Sequence, residues 1–305
     1  MTDPNFPQAI SIKAEPRCAS PRRVSLLYTP RLSAAASLAA QIADRLEAWQ
    51  VATATGPIDD GNAGRELAGC DMVIALGGDG TMLRAGSLAA SHNIPVLGVN
   101  LGRLGFLAEV QPGEWPDVLA RVLAGDYWLE QRMMLRVTLE REGAALRTFD
   151  VLNEVFVGRG LTGRTVRLEA YIDGGLFMRY VADGVIVATA SGSTAYALAA
   201  GGPILPPELK NILLVAVAPH MVIDRPVVLD EGTTVDLRVT NDYYTVLSAD
   251  GREPVDLLRN DRVRVQAGPY VCRFVRVQPR SYFYRTLMAR LARNPAAEPD
   301  TDPNR

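Results

Sequence analysis

The chain has 305 residues, of which 48% are hydrophobic and 22% charged, a composition typical of a globular protein long enough for two domains. Its net charge of −2 and pI near 5.8 argue against a general nucleic-acid or membrane-surface role, because both call for a basic balance. No apolar run approaches the roughly 18 residues of a membrane span, and the N-terminus lacks the apolar segment of a secretory signal, so we expect a cytoplasmic protein.

The N-terminal part alternates predicted strands and helices. Residues 1–23 contain several prolines and little periodic apolar pattern, which predicts a mobile tail. Apolar runs then predict strands at 24–28, 51–55, 72–76 and 94–99. Apolar residues at helical spacing from Leu32 to Trp49, and a helix-compatible run from Met82 to Ala90, place helices among them. This alternation predicts an α/β domain with a parallel sheet over 24–126, with ligands at the carboxyl ends of its strands.

From about residue 127 the pattern changes to period two, which predicts a mainly antiparallel, β-rich domain over 127–277. Its predicted strands cover 135–139, 149–157, 166–172, 177–181, 185–189, 212–218, 235–239, 245–249 and 263–277. A helical piece is predicted at 193–200, where Gly192-Ser193-Thr194 suits an N-cap. A last helix is predicted at 282–293, and we expect residues 278–297 to pack back on the first domain.

The strand at 72–76 leads directly into Gly77-Gly78-Asp79-Gly80. Glycines let backbone N–H groups approach a phosphate closely, and a following helix adds the positive end of its dipole. A carboxylate repels phosphate unless a metal or a reacting hydroxyl lies between them, so Asp79 indicates catalysis more than anion binding. The alternative is a plain turn between strand and helix. The loop matches neither the Walker signature nor the dinucleotide-binding G-x-G-x-x-G fingerprint.

Polar residues also interrupt the predicted strands of the second domain. Asn153 and Glu154 lie inside an apolar run, and an amide beside a carboxylate is suited to an adenine edge or a ribose diol. The alternative is a solvent-facing pair on an edge strand. Asp183 leads an apolar strand that ends near Thr194 and Tyr196, and we expect these groups to converge on one side.

Three further features are ambiguous. Asp250-Gly251 is compatible with a plain type I′ hairpin turn. The histidines, His92 and His220, are too few for a multi-histidine metal site, and His220 is the better functional candidate because it follows a predicted buried strand. The three cysteines lie far apart and form no C-x-x-C pair, so we expect neither a disulfide frame nor a zinc site.

Eight motifs, taken in order, resemble those of the NAD kinase family. They are Gly77-Gly-Asp-Gly-Thr-Met-Leu83, Asn100-Leu-Gly-Arg-Leu-Gly-Phe106, Asn153-Glu154, Asp183-Gly184, Gly192-Ser-Thr-Ala-Tyr196, Gly201-Gly-Pro203, Ala218-Pro-His220 and Asp250-Gly251. The resemblance implies a two-domain fold with the site in the cleft, and a homo-oligomer, dimer or tetramer, in which a second subunit helps to complete that site. It also implies transfer of the γ-phosphoryl group of ATP to the adenosine ribose 2′-hydroxyl of NAD, giving NADP.

The resemblance also implies roles for individual residues. Asp79 is the base that receives the hydroxyl proton. Ligand-binding roles fall on the following residues: Gly80 beside the base, Asn153 and Glu154 at the NAD adenosine, Asp183 at the other nucleotide half, Thr194, Ala195 and Tyr196 at the adenine pocket with Ala197, Leu198 and Ala199 after them, and Arg84 and Arg164 as basic contacts. Mg²⁺, or another divalent cation, is expected to arrive with the ATP phosphates, without a dedicated protein cage.

Several positions depart from the common family pattern. Ala190-Ser191 stands where proline and threonine are usual, Ala199 where serine is frequent, Val181 where arginine is frequent, and Arg252 where glutamine is common. Donor range, acceptance of NADH and control by NADPH stay open. So do two alternatives: a lipid, sphingoid or phosphofructokinase-like kinase that shares the glycine loop, and a regulatory protein that binds NAD without turnover.

Overall fold

A sheet of four parallel strands begins the fold. The computed structural model describes residues 18–61, 63–64, 67–102, 105–160, 164–220, 225–285 and 287. The parallel strands are β1 (Arg23–Tyr28), β2 (Ala52–Pro57), β3 (Met72–Gly77) and β4 (Val96–Asn100), in the spatial order β2-β1-β3-β4. The parallel α/β arrangement predicted from the sequence is confirmed.

In the described part of this half, three helices accompany these strands: α1 (Ser33–Ala48), α2 (Asp79–Ala90) and α3 (Trp115–Leu123). α1 buries Ala35, Ala39, Ile42 and Leu46, which form one apolar stripe at helical spacing. α3 has no counterpart among the predicted elements, although Pro116 stands in its first turn, where proline is tolerated. No helix in the described parts of the chain is both long and apolar enough to cross a membrane.

Twelve more strands follow within the described residues. They are β5 (Trp128–Arg141), β6 (Ala144–Val151), β7 (Glu154–Arg159), β8 (Val166–Ile172), β9 (Gly175–Ala182), β10 (Gly184–Thr189), β11 (Asn211–Val217), β12 (Val227–Asp230), β13 (Val235–Val239), β14 (Thr245–Ala249), β15 (Val255–Leu257) and β16 (Arg262–Arg276). Six of them form an antiparallel sheet in the order β12-β11-β10-β7-β14-β15. The β-rich second part is therefore confirmed.

The other six strands join the parallel strands in one ten-stranded sheet. β16 makes this junction, because it pairs with β4 at Phe274 and Val96 and with β5 along most of its length. The largest core lies between the two sheets and includes Val157 and Val187 from one and Leu168 from the other. The sheet thus runs across the predicted domain boundary at residue 127, and the division into 24–126 and 127–277 stays a prediction.

The structure differs from several predicted boundaries. Cys18 N donates to Gly125 O, and Arg22 N and Arg23 N both donate to Asp71, so hydrogen-bonded structure begins before residue 24. Residues 1–17 lie outside the described part, as does most of the predicted helix at 282–293.

One strand predicted at 149–157 is in fact two, β6 and β7, with a corner at Leu152 and Asn153 between them. The helix predicted at 193–200 is a 3-10 turn, Ser191–Thr194, followed by the short helix α4 (Tyr196–Ala199). Ala195 separates them with a backbone conformation outside the helical region.

Candidate active site

Asp79 is the first residue of helix α2. The sequence predicted a loop there and a helix from Met82, but α2 begins three residues earlier, with Gly78 as its N-cap and no capping side chain. The first N–H groups of a helix have no partner within it and attract anions, and the dipole stabilises a carboxylate in the first turn. β3 ends at Gly77 beside Asn100 of β4, so Asp79 lies at the carboxyl end of the parallel strands, as expected.

The Asp79 carboxylate is held in one orientation by the backbone that follows β4. Phe106 N donates to its Oδ2 at 2.9 Å, and Leu107 N donates to its Oδ1 at 3.2 Å. Gly105 packs so closely that a Cβ atom there would overlap the carboxylate. Each oxygen keeps a lone pair for a further donor, so the group can accept a proton or hydrogen bond from a substrate.

A cleft of about 450 Å³ lies at the start of α2. Its walls come from the segment after β1, the loop after β2, the first turns of α2, and the turn between β14 and β15. Among the residues that the structure describes, three arginines line it: Arg31, Arg84 and Arg252. Arg84 is ion-paired with Asp59, and Arg252 Nη2 donates to Ser87 Oγ on α2 at 2.9 Å. The cleft therefore combines a helix N-terminus with cationic side chains, an arrangement that suits phosphate groups.

Asp250 fixes the corner that carries Asn153 and Glu154. Its carboxylate accepts hydrogen bonds from the backbone N–H groups of Leu152, Asn153 and Glu154 at 2.7, 2.9 and 3.1 Å. Asp250 and Gly251 also have φ angles of 48° and 66°, as a type I′ turn requires. Asp250 and Gly251 thus form a turn, but not only a turn, because Asp250 also tethers the corner. Burial raises the pKa of Asp250, and its three hydrogen bonds oppose that shift.

Asn153 and Glu154 present polar atoms without partners. Asn153 Oδ1 and Glu154 Oε2 are buried, and neither has a hydrogen-bond partner among the described residues. Burial, followed by the negative charge of Asp250, raises the pKa of Glu154 to about 7, although the N–H of Tyr196 opposes the shift. Buried polar atoms are nearly always hydrogen-bonded in folded proteins, so these two indicate a ligand that donates hydrogen bonds. β7 lies between β10 and β14, so the edge-strand placement in the alternative is wrong.

The segment 191–199 forms the neighbouring wall. Gly192 packs directly on the backbone of Asn153, where a Cβ atom would overlap the carbonyl group, and its N–H donates to Thr189 Oγ1 at 3.1 Å. The predicted N-cap is absent, because Ser193 Oγ instead donates to Ala190 O and accepts from Leu205 N. The Tyr196 ring packs on Phe156 with centroids 5.6 Å apart.

The predicted ligand contacts at residues 194–199 differ in their exposure to solvent. Thr194 and Ala195 are partly exposed, and Tyr196 and Ala199 are exposed, so a ligand can reach them. Leu198 is also partly exposed, but Ala197 is buried in a small core under the sheet and faces away from solvent. The predicted contact at Ala197 can therefore involve its backbone but not its methyl group.

Family models match both halves of this architecture. The model of the ATP-NAD kinase N-terminal domain matches residues 22–127, and that of the ATP-NAD kinase C-terminal domain matches residues 152–277. The chain belongs to the NAD kinase family. The NAD kinase of Chloroflexus aurantiacus is 43% identical over 273 residues, 89% of this chain and 99% of that protein. The NAD kinase of Symbiobacterium thermophilum is 43% identical over 262 residues, 83% of this chain and 92% of that protein.

Two solved structures share the NAD kinase fold with this chain. Yeast NADH kinase complexed with NADH aligns with a TM-score of 0.78 at 24% identity and covers 90% of this chain and 88% of its own. An NAD kinase from Archaeoglobus fulgidus in complex with ATP aligns with a TM-score of 0.71 at 23% identity. The alignment covers 88% of this chain and 98% of that one. At these identities the likeness concerns the fold.

Two of the NAD kinase positions carried over from the sequence lie away from the rest. Asp183 precedes β10, whereas Ser191 follows the other end of that strand, about 20 Å away at the usual rise per residue. Asp183 is ion-paired with Arg159 at 2.8 Å, and the Arg164 guanidinium lies 4.8 Å from the Tyr243 ring centre. The expected convergence of Asp183 with Thr194 and Tyr196 is therefore wrong within one subunit.

The sequence did not indicate every residue of this NAD kinase site. Arg31 and Asp59 lie in loops that follow strands of the parallel sheet. Ligands bind at such loops, and this was the feature of the sequence that could have indicated these two residues. The contact of Arg252 with α2 and the tether from Asp250 are long-range, and no local pattern shows them. In the described parts of the chain, no three His, Cys, Asp or Glu side chains come together as a metal site.

Proposed function

We propose that this chain transfers the γ-phosphoryl group of ATP to the 2′-hydroxyl of the adenosine ribose of NAD, producing NADP and ADP. The observation that carries the proposal is the pair of buried, unpartnered oxygens, Asn153 Oδ1 and Glu154 Oε2. They can accept N–H or O–H donors from a ligand, and the adenine amino group and ribose hydroxyls of NAD supply such donors. The exposed Tyr196 ring nearby offers a face for an adenine base.

The acceptor pocket and the reacting carboxylate lie on neighbouring structural elements. Leu152, at the corner before Asn153, packs on α2 at Gly86, seven residues after Asp79. Seven residues of helix span about 10 Å. An adenosine held at the corner therefore has its ribose within reach of the Asp79 end of α2.

The chemical step then needs little more than alignment. Asp79 accepts the proton of the 2′-hydroxyl while that oxygen bonds to the γ-phosphorus, and the bond from the γ-phosphorus to the β–γ bridging oxygen breaks, releasing ADP. The amide hydrogen bonds from Phe106 and Leu107 keep the carboxylate aimed during transfer. The N-terminus of α2 and the cleft arginines Arg31 and Arg252 supply positive potential for the donor phosphates.

Mg²⁺ is expected with ATP, and the cleft residues fit that role. Mg²⁺ keeps several waters and is usually held by one or two carboxylates together with substrate phosphates. Asp59 lines the cleft and Asp79 begins the helix beside it. When bound, the ion would neutralise charge on the phosphates, and Asp59 and Asp79 would contact it or its waters. The Asp250 carboxylate also lines the cleft but is engaged by three backbone N–H groups.

A homo-oligomer, dimer or tetramer, forms part of the proposal. Asp183 and Arg164 lie at the far end of the six-stranded sheet, where His220 N also donates to Val181 O. If that end completes the site of a second subunit, Asp183 and Arg164 contact the ligand bound there, and every predicted ligand contact has a place in the oligomer. Mixing an Asp79→Asn variant with an Asp183→Asn variant tests this, because activity is restored only when one site draws on two subunits.

A coupled assay for NADP tests the function. Purified protein is supplied with NAD, Mg²⁺ and ATP, and NADP is detected with an NADP-specific dehydrogenase; polyphosphate and NADH replace ATP and NAD in parallel reactions. We expect NADP from ATP and NAD. Product from diacylglycerol, a sphingoid base or fructose 6-phosphate, without product from NAD, would contradict the proposal. Tight NAD binding without turnover would identify a regulatory protein instead.

A further inference from the structure

Four charged side chains are buried beside the site. Glu109, Glu130, Arg132 and Arg276 are between 2% and 7% exposed. Glu130 and Arg132 alternate along β5, and Arg276 ends β16, so all three project from one face of the ten-stranded sheet. Both guanidinium groups lie 5.0 Å from the ring centre of Phe274 on the same face.

These side chains form a continuous series of hydrogen bonds. Arg276 Nη1 donates to Leu107 O at 2.8 Å, and Arg276 Nη2 donates to Glu130 Oε1 at 2.9 Å. Arg132 Nε donates to the same Glu130 oxygen at 2.6 Å, and Arg132 Nη1 reaches Ser191 Oγ at 3.4 Å. Glu109 accepts from the backbone N–H groups of Val277 and Gln278 and lies 3.8 Å from Arg276 Nε.

The two ends of the series are parts of the site. Leu107 accepts from Arg276 through its carbonyl and donates through its N–H to Asp79. Ser191 begins the 3-10 turn that leads to Thr194 and packs on the backbone of Asn153 through Gly192. The buried charges therefore connect the segment that aims the reacting carboxylate to the wall of the acceptor pocket.

Stability alone does not account for such a series. Desolvation of buried ions usually offsets their attraction, and apolar residues of similar volume often give an equally stable fold. The buried charges are satisfied by one another: burial would raise the pKa of Glu130, but the charges and hydrogen bonds of Arg132 and Arg276 lower it to about 2. A fixed ionic series does specify geometry, since guanidinium groups bond in defined directions.

We propose that Arg276 and Arg132 are positioning residues for phosphoryl transfer, Arg276 acting through Leu107 on the Asp79 carboxylate and Arg132 acting through Ser191 on the acceptor pocket. The inference rests on the proposed function. The Arg276 end of the series then affects the rate of phosphoryl transfer, and the Arg132 end affects the affinity for the acceptor. A misplacement of about 1 Å at a reacting group can lower the rate by as much as 100-fold, so a small shift of the 105–107 segment has a measurable effect.

Conservative variants test this assignment. Arg276→Lys keeps the charge but has no second nitrogen in the fork that joins Leu107 O to Glu130. We expect its kcat to fall about 10-fold or more, with KM for NAD within about twofold of wild type. Arg132→Lys and Ser191→Ala should instead raise KM for NAD about fivefold with kcat nearly unchanged. Arg264→Lys, on the same strand as Arg276 but paired with Asp236, is the matched control and should leave both constants unchanged.

Hydrogen exchange gives a readout that does not depend on activity. In Arg276→Lys the amides of Phe106 and Leu107 should exchange faster than in wild type, while the amides of 152–154 keep their protection. Unchanged kcat and unchanged exchange in folded Arg276→Lys would overturn the inference, as would equal kcat and KM effects in the Arg276 and Arg132 variants. Failure of the wild-type enzyme to form NADP would instead contradict the proposed function, and the exchange result would still decide the role of Arg276.

Discussion

The two halves of the molecule hold their acidic site residues in opposite ways. In the α/β half, both oxygens of Asp79 already accept backbone N–H groups, so the carboxylate is oriented before any substrate arrives. In the β-rich half, Glu154 has a buried oxygen without a partner among the described residues, and its pKa is raised to about 7. The difference separates alignment of a reacting group from recognition of a ligand. Substitutions at the two residues should therefore affect different kinetic constants.

The largest effect is expected from Asp79→Asn. The variant cannot take up the 2′-hydroxyl proton, and we expect kcat to fall by at least about 100-fold while NAD still binds. Steady-state kinetics and calorimetric titration with NAD measure the two quantities. Asp117→Asn is the matched control, because Asp117 is also an acidic residue in the first turn of a helix but lies exposed on α3. Unchanged turnover in Asp79→Asn would remove this carboxylate from the mechanism.

Glu154→Gln should produce the complementary result. It keeps the shape of the side chain but loses hydrogen bonds to a charged acceptor, so KM for NAD should rise about 10- to 100-fold with kcat within a few-fold of wild type. Glu169→Gln serves as control, since Glu169 on β8 is paired with Tyr171 on the same strand and with Arg179 on β9. A loss of kcat in Glu154→Gln equal to that in Asp79→Asn would contradict the assignment of catalysis to one half and ligand recognition to the other.

The pH dependence of NAD affinity sharpens the same comparison. With a pKa of about 7, Glu154 is largely protonated at pH 6 and largely ionised at pH 8. Because the ionised form accepts the donors of NAD, KM for NAD should fall about 10-fold between pH 6 and 8, and this fall should be absent in Glu154→Gln.

The free protein should show the opposite trend. A carboxyl group whose pKa is raised on folding contributes stability below its unfolded pKa, near 4.5, and loses it as pH rises toward 7. The melting temperature of wild type relative to Glu154→Gln should therefore decline over this range. A flat difference would contradict the buried, unpartnered state of Glu154.

The smallest effect is expected from Arg252→Gln. The Arg252 side chain bridges the two halves by donating to Ser87 on α2, but it is exposed, and exposed charges contribute little. Glutamine can still donate to Ser87 but lacks the positive charge, so KM for ATP should rise about two- to fivefold, with KM for NAD unchanged. Arg259→Gln, whose parent arginine pairs with Asp242 outside the cleft, is the control.

The sequence predicted those features whose signal is local. Alternating strands and helices predicted the parallel sheet, and the glycines around Asp79 predicted the connection between β3 and a helix, although α2 begins three residues before the predicted start. The period-two pattern predicted most strands of the second half.

Features that depend on distant pairing were missed. Glu130, Gln131 and Arg132 form a polar run that looks solvent-facing in the sequence. Phe274 and Cys272, the β16 partners of Glu130 and Arg132, nevertheless bring this face against α2. The placement of Asp183 failed for a simpler reason: it and Ser191 lie at opposite ends of one extended strand, so closeness in sequence meant separation in space.

The most direct test of the account is a crystal structure of the protein with NAD bound. We predict the 2′-oxygen of the adenosine ribose within about 3.2 Å of an Asp79 carboxylate oxygen, with the adenosine donating hydrogen bonds to Asn153 Oδ1 and Glu154 Oε2. A ribose held at this corner with its 2′-oxygen turned away from Asp79, or adenosine bound elsewhere with both oxygens still unpartnered, would contradict it.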